Sequence, residues 1–469
     1  MISRSLITLA LLGVFSACES RPTEKPPESV SAASMTSVSA DRCPVGALMA
    51  EVDPTRLRSD IATMVSFGTR HTLSDTVSTT RGIGAARRWV ESEFRRMSQD
   101  CGQCLEIATP SDDVRAPRNP EGVPVVNVLA IQKGRRDPGR VIIISGHLDS
   151  RVSDVMDATS DAPGANDDAS GTAAVIEAAR ILSRRSFDAT LVYAALSGEE
   201  QGLLGGKILA DYARRRGWKV EAVLNNDIIG NTGGSSGERV DGRVRVFTEG
   251  VRSLETQAMA DARTSNGGEV DSPSRNLARF IDGVADDCLE AFDVMMIYRR
   301  DRFGRGGDQV RMLEAGFPSV RVTEGAENYT RQHQDLRVEN GINYGDTLEG
   351  VDFPYLARVV SLNVASLAIL ASAPPPPTEV RIEGAVSPDT VVSWSKVEGA
   401  TGYRIWRRPT TEAVWTLSVE TGPNETSLRL PGVIIDDWFF GVAALGADGL
   451  SSPVQFAGPV GAFFPPPTD

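Results

Sequence analysis

Residues 141–150, VIIISGHLDS, constrain the fold more than any other stretch of the chain. Four β-branched residues run in succession and then give way to Ser-Gly, His147, Leu148 and Asp149. A short unbroken apolar run of this kind reads as a strand buried on both faces, as in a parallel sheet covered by helices. Its polar residues fall at the C-terminal end, where open α/β sheets place their ligands. A His and an Asp two residues apart at such an edge can begin a metal site. Taken alone, the pattern fits a capped loop with a satisfied histidine equally well.

The pattern around this strand extends the argument. Ile83, Ala86, Val90, Phe94 and Met97 recur at helical spacing, predicting a core-facing helix over 82–97. A strand is expected over 125–131, then helices over 171–183 and 203–216 flanking a strand over 191–196. Further strands are expected at 222–225, 244–247 and 320–322, and a long helix at 351–370. Alternation of this kind predicts an α/β fold, a mostly parallel sheet with helices on both faces. Pro374 to Pro377 then form a stiff linker at 374–378, and the texture changes to short β segments separated by turns. Those segments, over 379–463, suggest a small all-β sandwich.

At 469 residues the chain is too long for one ordinary core, so two folded domains are expected. Its net charge of −13 offers no basic face, which argues against nucleic acid as a partner. The first 17 residues read as a signal peptide: Arg4 precedes an apolar segment too short to anchor in a bilayer. The segment ends in Phe-Ser-Ala-Cys, which resembles a bacterial lipobox and would make Cys18 a lipid anchor; ordinary secretion stays open. Either way the protein is expected to be exported, with 18–42 as a disordered tether and ordered structure beginning at 43. No later stretch reads as long and apolar enough to be a transmembrane helix. Cys43, Cys101, Cys104 and Cys288 remain, an even number in an exported chain, with three connectivities open.

Each buried strand of the body ends in acid. The strand at 141–146 runs into His147 and Asp149, the one at 191–196 into Glu199 and Glu200, and the one at 222–225 into Asp227. Asn166, Asp167 and Asp168 lie immediately before a helix. Each group has an ordinary explanation: a helix cap, a solvated pair, a turn. Together, at successive strand ends, they would crowd carboxylates into one cleft, where repulsion and desolvation demand cations. No basic cluster of matching size lies nearby in sequence. A divalent metal with His and carboxylate ligands, the chemistry of zinc, resolves the conflict. The chain has three histidines: His71, His147 and His333. His71 has no suitable acidic neighbours and reads as structural.

In order along the chain, HLDS, GANDDASG, SGEEQGLLG, NNDIIG and a late His resemble zinc metallopeptidases of the aminopeptidase Y and aminopeptidase S type. The resemblance covers residues 44–373 and implies a doubly wound α/β fold with a co-catalytic site of two Zn2+. Carried over by position, Asp167 would bridge both metals. His147 and Asp227 would complete one site, and Glu200 and His333 the other. Glu199 would be the general base, and Asp149 would orient the His147 ring. Gly307, Asp308 and Gln309 stand where relatives commonly carry Ser-Asp-His, and no Tyr lies just before them; Arg302 or Arg305 could donate to an oxyanion instead. Beyond the linker, Trp394, the Tyr403 to Trp406 strand and the strand from Trp438 resemble a fibronectin type III domain, a spacer or adhesive module of unknown ligand. The expected activity is removal of residues from peptide or protein N-termini. Alternatives are a carboxypeptidase or one-zinc glutaminyl cyclase of the same fold, and an inactive scaffold acting through its sandwich.

Overall fold

A computed structural model describes residues 43–464; the signal peptide, Cys18 and the tether expected at 1–42 lie outside the described residues. One sheet dominates. Its strands are β1 (Leu105–Ala108), β2 (Val128–Gln132), β3 (Asp137–His147), β4 (Ala189–Leu196), β5 (Lys219–Asn226), β6 (Arg243–Thr248), β7 (Asp293–Ile297) and β8 (Ser319–Glu324). In space they run β1-β2-β4-β3-β5-β8-β6-β7. The middle four, β4, β3, β5 and β8, are mutually parallel. Their neighbours β2 and β6 run antiparallel to them. The four central strands therefore release their chains at one common edge.

The sequence of β3 explains its place at the centre. Ile142 and Ile144 join one apolar core, while Val141 and Ile143 join the other. Buried on both faces, each of these side chains contributes about 1.5–3 kcal/mol relative to exposure. Helices α1 (Pro54–Ser66), α2 (Gly82–Asp100), α3 (Ala169–Leu182), α5 (Pro273–Cys288) and α6 (Phe353–Ser372) fill the first core. Helix α4 (Leu204–Arg215) covers the second with Leu209, Ala210 and Ala213. Apolar residues at helical spacing, Leu57, Ile61 and Met64 in α1 and Leu277, Ile281 and Val284 in α5, face the first core. A capping residue followed by Pro marks each start: Asp53-Pro54 and Ser272-Pro273.

Helix α6 corrects one expectation. With 20 residues and a mean hydropathy of 1.6 it is long and apolar enough to cross a membrane, against the expectation that no late segment is. The reason for that composition is interior burial: 78% of its apolar window is buried within the protein. A helix enclosed on all sides carries an apolar residue on every face.

The cysteines pair Cys43 with Cys288, across 245 residues, and Cys101 with Cys104. Beyond the Pro run, Arg381–Glu383, Thr390–Ser393 and Ser427–Leu430 form a three-stranded sheet. Leu417–Thr421, Gly402–Pro409, Trp438–Leu445 and Gln455–Phe456 form a four-stranded one. Trp394, Tyr403, Phe440 and Val442 pack in their shared core. This part is not held off as a spacer. Pro376 and Pro377 are buried. Arg408, fully buried, donates to Asp271 Oδ2 at 2.6 Å, just before α5. Asp271 Oδ1 accepts from Arg279 at 3.0 Å, and Arg279 reaches back to the Ala413 carbonyl at 2.7 Å.

Asp271 thus neutralises two buried guanidiniums at the seam. Asp271→Ala strands both, and should cost about 3–5 kcal/mol in denaturant unfolding. A wild-type midpoint and slope in that variant would mean the seam contributes nothing.

Candidate active site

The common edge of the sheet carries the predicted residues. His147 ends β3; Glu199 and Glu200 follow β4; Asp227 follows β5; His333 lies on the loop after β8. Asp167 sits just ahead of α3. The start of α3 approaches this edge closely because two glycines allow it. A Cβ at Gly146 would lie 2.5 Å from the Gly171 carbonyl carbon, and one at Gly171 would lie 2.3 Å from the Asn226 carbonyl oxygen.

Asp167 is the hinge of the arrangement. His147 Nε2 lies 3.1 Å from its Oδ1 and 3.9 Å from Asp227 Oδ1. His333 Nε2 lies 2.9 Å from Asp167 Oδ2 and 3.0 Å from Glu200 Oε1. Two triads therefore meet at one carboxylate, one oxygen facing each: His147/Asp167/Asp227 and Asp167/Glu200/His333. The donor set is imidazole and carboxylate, which suits zinc. Apart from the His333 ring nitrogen 3.0 Å away, the buried Glu200 Oε1 has no hydrogen-bond partner, as suits an oxygen available to a cation. His333 stands at φ 54°, a left-handed conformation uncommon outside glycine and the kind of local strain that concentrates at functional sites.

The neighbouring residues hold this geometry. Asp168 is the cap of α3, accepting from Gly171 N at 2.9 Å, and it also accepts from His147 N at 2.8 Å. A cis peptide joins it to Asp167. The role given to Asp149 on sequence divides between two of its groups. The His147 ring places Nδ1 3.0 Å from the Asp149 main-chain oxygen, with the carboxylate farther away at 3.7 Å. The carboxylate faces elsewhere because four donors claim it: Gly198 N at 2.9 Å, Glu199 N at 3.3 Å, Glu200 N at 3.1 Å and the Thr72 hydroxyl at 3.0 Å. It therefore shapes the turn that sends Glu200 to the triad and Glu199 to the cleft. His71 is fully buried, its Nε2 2.9 Å from the Val155 carbonyl, and belongs to neither triad.

Several participants escaped the sequence reading. Asp346 accepts from the main-chain N–H of Asn166 and of Asp167 at 2.9 and 2.7 Å, fixing the loop that carries the shared carboxylate. Arg321, fully buried in β8, donates to Asp227 Oδ2 at 2.5 Å. Arg151 reaches Glu200 Oε2 at 2.9 Å. An arginine inside a strand and an isolated Gly-Asp carry no signal until the fold brings them together. Tyr298 packs under the Arg275 guanidinium, 4.2 Å away, and is not part of the cleft wall.

Charge follows burial. Desolvation raises the Asp227 carboxyl, but the guanidiniums of Arg321 and Arg302, with His147, hold it well below the usual carboxylate range. Glu199 moves the other way. Burial raises it, His147 opposes this, and Glu200, Asp227 and Asp308 repel its charge, leaving it well above an ordinary carboxyl. Asp227, Arg302, Glu199 and Glu200 border a cleft of about 380 Å3.

Replacing Asp149 with Ala leaves its three buried backbone donors unpaired. At roughly 1–3 kcal/mol for each unsatisfied group, the variant should lose several kcal/mol of stability. Denaturant unfolding in a chelator separates that loss from any effect of metal, and unchanged stability would remove Asp149 from its structural place.

The chain is similar to known metallopeptidases. The sequence profile of Peptidase family M28 matches residues 127–337. A probable zinc metalloprotease of Leptosphaeria maculans is 44% identical over 88% of this chain and 97% of its own length. One from Pyricularia oryzae is 43% identical over 92% of this chain and 88% of its own. Among solved structures, LapA of Legionella pneumophila superposes with a TM-score of 0.52 at 18% identity, covering 70% of this chain and 76% of that one; it shares the fold. Near-complete matches at this level of identity, over the strands that carry both triads, mean that the chain belongs to peptidase family M28.

Proposed function

We propose that this metallopeptidase holds two zinc ions and removes single residues from the N-termini of peptides. The observation that carries the reading is the division of the Asp167 carboxylate, one oxygen toward each triad. His147 and Asp227 would complete one site, and Glu200 and His333 the other. A glutaminyl cyclase with a single zinc would have no use for the second triad. When bound, the ions supply an acidified water and polarise the scissile carbonyl.

The remaining chemistry belongs to the chain. Glu199 takes the proton from the attacking water and returns it to the leaving amine. Its environment suits a base: burial and three neighbouring carboxylates raise its affinity for a proton. The Asp149 carboxylate fixes the turn bearing Glu199 and Glu200, so the two adjacent acids keep different directions. The His147 ring is oriented by the Asp149 main-chain oxygen, which would accept from Nδ1 and leave Nε2 free for metal. A free α-amino group would be anchored beside the metal ligands. The signal-like first 17 residues support export, with Cys18 as a lipid anchor, and the seven-stranded C-terminal sandwich supports a fibronectin type III-like module.

Purified protein should contain about two zincs per chain, and Asp167→Ala should lose both. Elemental analysis reads this directly; a single zinc in the wild type would favour the cyclase chemistry. Glu199→Gln should retain metal and lose about 10²–10⁴-fold in kcat. Peptides with free N-termini should be cleaved and their N-acetylated forms spared. Equal turnover of both would sink the aminopeptidase reading.

A further inference from the structure

The wall of the cleft is almost entirely charged or glycine. Leu203 is its only apolar side chain. Its four carboxylates, those of Asp167, Glu199, Glu200 and Asp227, are all engaged in metal binding or proton transfer under the reading above. Four arginines share the wall: Arg118, Arg151, Arg302 and Arg305. Nothing there would receive a large apolar residue, and no carboxylate remains to pair a cationic side chain.

Arg302 and Arg305 form the strongest feature. Both depend on Glu327, at 3.6 and 3.2 Å, and Arg245 claims the same carboxylate at 2.7 Å. Asp301 is likewise divided between Arg302 and Arg321, at 3.1 and 3.5 Å. The Arg302 side chain is 9% exposed, and its Nη1 has no hydrogen-bond acceptor. A buried guanidinium with an idle donor, where Arg245, Arg302, Arg305 and Arg321 share Glu327, Asp301 and the metal-facing Asp227 (4.0 Å from Arg302), is short of one carboxylate.

We infer that the Arg302–Arg305 pair receives a carboxylate of the substrate, so that the enzyme selects peptides that present one within reach of the cleft. The inference rests on the two-zinc aminopeptidase reading for its reaction and on the arginine geometry for its specificity. The carboxylate can come from an acidic N-terminal residue or from the C-terminus of a very short peptide. A guanidinium binds either in the same planar, two-pronged way.

The test uses the zinc-loaded chain and peptides X-Ala-Ala-amide, with X as Glu, Gln, Leu or Lys, together with Leu-Ala in free and amidated forms. A side-chain source makes Glu exceed Gln about 10-fold or more in kcat/KM; a C-terminal source makes free Leu-Ala exceed its amide by as much. Arg302→Gln and Arg305→Gln should bring the ratio toward one, chiefly through KM. Arg305, 32% exposed, keeps the test open if the buried Arg302 variant does not fold. Turnover that ignores both charge and amidation overturns the carboxylate site and leaves the aminopeptidase reading intact. If no free N-terminus is cleaved, that reading fails instead, and calorimetry with glutarate decides the site alone. Glutarate binding that weakens about 10-fold in Arg305→Gln supports the site; no binding, or binding that the variant leaves unchanged, overturns it.

Discussion

Everything at the sheet edge depends on one electrostatic demand. Asp167, Asp227, Glu199 and Glu200 crowd a partly dry cleft, where like charges cannot be left to themselves. Imidazoles and guanidiniums answer part of that demand: His147 and His333 on Asp167, Arg321 on Asp227, Arg151 on Glu200. The part left unanswered, at the oxygens that face each other across the triads, has the valence and donor chemistry of divalent metal. The surrounding fold is arranged so that these acids cannot move apart.

The topology is what prevents them. Because β4, β3, β5 and β8 are parallel neighbours, four consecutive chain exits open onto one edge. The start of α3 adds Asp167, and it reaches the strands because Gly146 and Gly171 have no side chains to hold them apart. Arg70 secures the loops from below: fully buried, it donates to the carbonyls of Leu148, Pro163 and Gly164. Ligand positions are thus fixed by main chain and buried cations before any metal arrives, the preorganisation a site of this kind requires.

What could be read in the sequence was what burial writes there. Strands enclosed on both faces leave unbroken apolar runs, and their acidic exits stand at the ends of those runs, so β3, β4 and β5 with His147, Glu199, Glu200 and Asp227 were legible. Asp167 was legible as an acid just ahead of a helix, and its bridging place only through the motif order. Hidden were the features that depend on distant parts meeting: Arg321 inside a buried strand, Asp346 in an irregular loop, the pairing of Cys43 with Cys288. Asp149 shows the same limit at finer grain. Its spacing from His147 put it beside the ring, but which of its oxygens faced the ring was settled by the backbone donors of the 198–200 turn. The C-terminal sandwich was legible as strands; its attachment, made by a buried arginine finding an aspartate 137 residues away, was not.

That attachment gives α5 a mechanical role. Its last residue, Cys288, is bonded to Cys43, the first described residue. Around its first turns, Asp271 and Arg279 grip the sandwich that closes the chain. The helix is thus pinned at both ends, covalently at one and by a buried ion pair at the other. Neither the first described residue nor the sandwich can come away without disturbing a helix that packs in the core behind the sheet.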